Sequence, residues 1–112
     1  MSLRHVIVVS PRPLFREGLR ELLADVPGLQ LSAAVATVAE VRALARQKVP
    51  DVIIVDDCER EGQGRQALAD LLALRVAQIV AVTLEEQGMT VYSRQWLPEA
   101  SWHTLLDLLR EG

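Results

Sequence analysis

Four short apolar runs recur along this chain, and three of them are closed directly by a polar residue, Ser10, Asp56 or Thr83. They are Val6-Ile7-Val8-Val9, Leu29 to Val35, Val52-Ile53-Ile54-Val55 and Ile79-Val80-Ala81-Val82. The first, third and fourth are continuous rather than alternating, which marks strands covered on both faces. Helical patterns lie between them. Pro13 suits a first helical turn, and Leu14, Phe15, Gly18, Leu19, Leu22 and Leu23 follow at helical spacing until Pro27-Gly28. Thr37-Val38-Ala39-Glu40 is a capping box, opening a helix through Val41, Leu44 and Ala45 to Lys48. After a polar loop with Gly62 and Gly64, a third helix is expected through Ala67, Leu68, Leu71, Leu72 and Leu74. Strand and helix in alternation predict an α/β sandwich on a mainly parallel five-stranded sheet.

The last unit breaks the alternation. A fourth strand over Gln78 to Thr83 and a fifth over Met89 to Ser93 are separated only by Leu84, Glu85, Glu86, Gln87 and Gly88. A parallel crossover needs about a dozen residues, so five cannot return the chain along the sheet. Either the two strands form a hairpin with the fifth antiparallel, or the fifth strand and last helix are exchanged with a second copy. In both cases the helix between them is missing, and one face of the last two strands loses its cover. A final helix is expected from Pro98 through Ala100, Leu105, Leu106, Leu108 and Leu109.

Composition sets the outer limits. At 112 residues, half of them apolar, the chain makes one domain with a core of its own. We take residues 4–110 as the domain and set aside Met1–Leu3 and Glu111–Gly112 as additions at its ends. The formal charge of −3, with an isoelectric point near 5.3, argues against a nucleic-acid binder in its own right. A single cysteine, Cys58, excludes a disulfide framework and follows two carboxylates that disfavour its thiolate. His5 and His103 have no ligand neighbours at metal spacing, and Gly62-Gln63-Gly64 lacks the lysine of a phosphate loop. No apolar run approaches the roughly 18 residues of a membrane span, and no secretory signal is evident, so a cytoplasmic location is expected.

The run Arg12-Pro13-Leu14-Phe15-Arg16-Glu17-Gly18-Leu19 after a first strand resembles response-regulator receiver domains. It is most similar to those heading LuxR/NarL-type transcription factors. Pro50-Asp51-Val52-Ile53-Ile54-Val55-Asp56 resembles that family's strand leading to its phosphoacceptor, and Ile79-Val80-Ala81-Val82-Thr83 the strand ending in its switch hydroxyl. The resemblance implies a flavodoxin-like sheet of order 2-1-3-4-5. It makes Asp56 the phosphoacceptor equivalent, with Asp57 beside it, Thr83 the phosphoryl-binding hydroxyl and Tyr92 the switch aromatic. Read without it, Asp56-Asp57 is an acidic loop start and Thr83 a β-branched strand end.

The departures from the family pattern fall on its chemistry. Two acids that would hold Mg²⁺ are replaced by Ser10 and Pro11. Mg²⁺ takes oxygen ligands with one or two carboxylates among them, so neither Mg²⁺ nor any other cofactor is expected. The family's lysine falls near Arg94 or Gln95, and the chain's one lysine, Lys48, closes the second helix. The resemblance therefore describes a degenerate pseudo-receiver, a non-catalytic signalling and dimerisation module of a two-component-type regulator. Its partners would be a second copy and an output domain in a longer parent, with no membrane and no nucleic acid for this domain alone. Arg12, next to the lost acids, is either a solvated arginine or an internal cation that reaches Asp56 or Asp57. Trp96 and Trp102, two of only four aromatics, either fill the gap left by the missing helix or meet a partner. Two rivals remain: a phosphorylatable receiver using Asp56, and a small α/β enzyme using Asp56 and Asp57.

Overall fold

The computed structural model describes residues 3–56, 69–83, 88–94 and 101–111. Five strands, β1 (Arg4–Val9), β2 (Leu29–Val35), β3 (Val52–Asp56), β4 (Gln78–Thr83) and β5 (Gly88–Ser93), form one sheet of order β2-β1-β3-β4-β5. β1, β2, β3 and β4 run parallel, whereas β5 pairs with β4 antiparallel, Gln78 opposite Ser93 and Thr83 opposite Gly88. The hairpin alternative is therefore the one adopted within a single chain. The turn expected at Glu85-Glu86-Gln87 lies outside the described residues.

Helices α1 (Pro13–Ala24) and α2 (Val38–Gln47) follow β1 and β2. Residues 69–72 are the described part of α3, and α4 (Trp102–Glu111) ends the chain. Pro13 opens α1, and the turn after α1 closes on Gly28, whose φ of +82° is a left-handed conformation that costs glycine little. The Gly28 carbonyl accepts from Arg4 N–H at 2.9 Å, tying that turn to the start of β1. Thr37 caps α2 as its sequence predicts: its Oγ1 accepts from Glu40 N–H at 3.3 Å and donates to the Glu40 carboxylate at 3.1 Å.

The last helix starts later than expected. Pro98 lies outside the described residues, and Ser101 precedes the first helical residue, Trp102. The reason is a reciprocal cap, with Thr104 N–H donating to Ser101 Oγ and Ser101 N–H donating to Thr104 Oγ1.

Side chains alternate across the sheet, and its two faces are covered differently. Ile7, Val9, Ile53, Val55, Ile79 and Ala81 point to one face, where Val41 of α2 and Leu71 of α3 complete the core. Right-handed crossover puts α1 on the opposite face, against β1 and β2. There Val6, Val8 and Val52 are buried, but cover thins towards β5: Val80 and Val82 are half-buried, Val91 and Met89 exposed. The missing helix thus does not bare Ile79 or Ala81, since α3 packs beside them. Among the described residues no helix is long and apolar enough to cross a membrane.

Candidate functional site

The parallel register brings three expected site residues to one rim. Val9 is opposite Val55, so Ser10 follows β1 beside Asp56, the last residue of β3. Asp56 in turn is opposite Val82, which puts Thr83 at the same end of β4. Open α/β sheets place their sites at this carboxyl end of the strands. Ser10 N–H donates to the Val35 carbonyl at 2.9 Å, fixing the serine where β1 and β2 end.

Asp56 is held from two sides. Its side chain is wholly buried, and the Ser10 hydroxyl donates to Oδ2 at 2.7 Å. Arg12 Nε donates to the same Oδ2 at 2.6 Å, while its Nη2 bonds Oδ1, making a two-pronged fork on one carboxylate. The Arg12 backbone N–H donates to Ser10 Oγ at 3.0 Å, so that hydroxyl is both donor and acceptor within the cluster. Arg12 precedes α1 in an extended conformation and its side chain does not cap the helix; it crosses to β3 instead.

Two further residues brace this arrangement and were not singled out in the sequence. The Arg12 guanidinium lies 5.7 Å from the centroid of the Phe15 ring, within cation–π range. Arg16 Nη1 donates to the Ser10 carbonyl at 2.7 Å. Arg16 is one helical turn beyond Arg12, and that spacing was the available signal.

The residues present do not fit a Mg²⁺ ion. One described carboxylate is at hand, with both oxygens already bonded to Arg12 and one also to Ser10. Pro11 has no side-chain oxygen, and among the described residues no three His, Cys, Asp or Glu side chains gather as ligands.

The structure separates the remaining expected residues from this cluster. Tyr92 does not take the switch position: it is opposite Ile79, four residues along β4 from Thr83, or about 13 Å at the rise of a strand. The cause is the reversed direction of β5. For the same reason Arg94 lies at the far rim. Its guanidinium donates to the Leu72 and Leu74 carbonyls at 2.7 and 3.1 Å, and its N–H to Ala77 at 2.8 Å. Lys48 is also remote from Asp56, with its amine 3.0 Å from His5 Nε2 at the start of β1. Trp102 is 80% exposed. Asp57, Cys58 and Trp96 lie outside the described residues.

These features, a 2-1-3-4-5 sheet with an aspartate closing its central strand, agree with comparisons to known proteins. The nitrate/nitrite response regulator protein NarP of Escherichia coli K12 is 30% identical over 118 aligned positions. That alignment covers 96% of this chain and 54% of NarP. The comparisons support a response-regulator receiver domain. The chain spans about half the length of that curated relative.

The receiver domain of a putative NarL regulator from Mycobacterium tuberculosis superposes with a TM-score of 0.58 at 18% identity, covering 95% of this chain and 78% of that one. A LuxR-family response regulator from Aurantimonas sp. SI85-9A1 gives a TM-score of 0.52 at 26% identity, covering 73% and 61%. No protein-family model matches the chain. The chain keeps the expected flavodoxin-like frame, with four helices among the described residues and none described between β4 and β5.

Proposed function

We propose that this receiver is a signalling and dimerisation module of a longer two-component-type transcriptional regulator, working by protein contact without Mg²⁺-dependent phosphoryl transfer. The observation that carries this reading is the occupied carboxylate of Asp56. The nucleophile of an ordinary receiver must present a free oxygen to a phosphodonor, with a metal beside it to offset the developing charge. Here both oxygens are bonded to the Arg12 fork, and Ser10 holds one of them as well. A guanidinium thereby supplies the positive charge to the aspartate permanently, and holds the rim of β1 and β3 in one arrangement.

On this reading Ser10, Pro11, Asp57 and Thr83 are remnants of a phosphorylation site, and the domain over residues 4–110 is a non-enzymatic cytoplasmic unit. The name of NarP and the LuxR-family structure support a regulator of transcription as its parent.

The test is incubation with acetyl phosphate, and separately with beryllofluoride, each with Mg²⁺. Intact mass and amide NMR resonances of Ser10, Asp56 and Thr83 are followed. Neither a phosphoryl mass increment nor a shift of these resonances is expected. Stoichiometric phosphate on Asp56 overturns the reading in favour of a phosphorylatable receiver.

A further inference from the structure

The final helix and the open end of the sheet are two apolar surfaces of one chain that do not meet. On α4, Trp102, Leu105, Leu106 and Leu109 recur at i, i+3, i+4 and i+7, which places them on one stripe. This is the pattern of a helix made to be covered, yet Trp102 is 80% exposed, Leu109 67%, and Leu105 and Leu106 more than 40% each. The second surface is the α1-side face of β4 and β5. Val80 is opposite Val91 and Val82 is opposite Met89, so four apolar side chains form a contiguous patch. Cover on this patch is incomplete at Val80 and Val82, and Met89 and Val91 are 67% and 50% exposed. None of these four α4 side chains belongs to the buried core or to the half-buried side chains packed against it.

We infer that α4 of one copy seats its Trp102–Leu109 stripe on the β4–β5 patch of a second copy, and receives the second copy's helix in return. The proposed dimerisation leaves the contact surface open, and this inference rests on it for the identity of the partner. Both surfaces are present on every copy, so a two-fold arrangement covers both at once and closes without leaving a free end. Single chains rarely leave apolar patches of more than a few hundred Å² in water. Specific interfaces begin at roughly 1,200 Å² of buried surface, which is about 300 Å² for each of the four surfaces that two reciprocal seats bring together. Trp102 has the size and exposure of an interface anchor. The arrangement also follows from the reversal of β5. The chain leaves that strand at the rim where Arg94 bonds the end of α3, and the stripe of the α4 that follows keeps Trp102 and Leu109 largely exposed.

The test uses the full chain on a Cys58→Ser background. One batch carries Leu106→Cys and another, with a different affinity tag, Val91→Cys. After mixing and mild oxidation, a disulfide-linked pair holding one chain of each batch is expected. Absence of the mixed pair, or a link formed within single chains that carry both cysteines, overturns the inference. In parallel, Leu109→Glu is compared with the parent by analytical ultracentrifugation and circular dichroism. Leu109 is largely exposed in one copy, so the helix signal should hold while the dimer dissociation constant rises by about tenfold or more. Unchanged association, or a parent that stays monomeric up to millimolar concentration, also overturns it. The phosphodonor experiment on Asp56 does not involve α4, so either reading can fail while the other stands.

Discussion

Arg12 and Asp56 carry opposite charges in unequal surroundings: the aspartate side chain has no exposed surface, whereas the arginine keeps 42% of its own. Removing the arginine leaves a buried carboxylate with the Ser10 hydroxyl as its remaining partner in this cluster. Breaking a fully buried pair costs about 3–5 kcal/mol, and water around Arg12 screens part of that. Arg12→Ala is therefore expected to lower the free energy of urea unfolding by about 2 kcal/mol, with less than half recovered by Arg12→Lys, whose point charge cannot fork. Ser10→Ala should cost about 1 kcal/mol through the lost hydroxyl bond. Mg²⁺ supplies a second residue-scale test. At ten times its dissociation constant a bound ion would raise stability by about 1.4 kcal/mol, and for this chain the melting temperature should not move. Arg12 stood out in the sequence because it adjoins the positions that lost their acids. Phe15 and Arg16 did not, because an arginine and an aromatic in the first turn of an amphipathic helix are ordinary features. Only the path of the Arg12 side chain towards β3 makes them its supports.

At the scale of elements, a loop length carried more information than any motif. The short gap after Thr83 excluded a crossover and left a hairpin or an exchanged strand, and the antiparallel β5 is the hairpin. The strands and first two helices were legible for the same kind of reason, since continuous β-branched runs and a Thr37–Glu40 cap are local signals. What local signals did not supply was the consequence of reversal for single residues. Tyr92 and Arg94 occupy familiar positions along the chain, yet the reversed strand carries both away from Asp56. Arg94 instead meets the carbonyl end of α3, where a cation interacts favourably with unpaired carbonyls and the helix dipole. Arg94→Met keeps the apolar stem and removes the donors. It is expected to cost about 1 kcal/mol and to speed amide exchange in residues 69–76, with little change at Ser10 or Asp56. Equal acceleration at both rims would contradict that local role.

For the molecule as a whole, the Cα radius of gyration of 15.5 Å exceeds the roughly 13 Å of a packed domain this long. α4 closes the described chain with Trp102 and Leu109 largely exposed. Its start was misplaced in the sequence because Pro98 is a good opening residue, while the cap between Ser101 and Thr104 decides the matter locally. Its apolar stripe was legible, but periodicity says only that a helix face will be covered, not which surface covers it. That exposure has a measurable consequence. In a domain whose last helix completes the core, deleting that helix removes several buried leucines and costs many kcal/mol, at about 2–5 kcal/mol for each. Here the buried core comes from β1, β3, β4, α1, α2 and α3, and Leu105, Leu106, Leu108 and Leu109 add little to it. A chain ending at Ala100 should therefore unfold, at concentrations where single copies dominate, within about 0.5 kcal/mol of the full chain. The two should diverge as concentration rises, because only the full chain gains stability from association, and by mass action that gain grows with the amount of partner. Thermal unfolding of both proteins across a hundredfold range of concentration separates this outcome from a helix that stabilises its own chain, which would shift the two curves apart equally at every concentration.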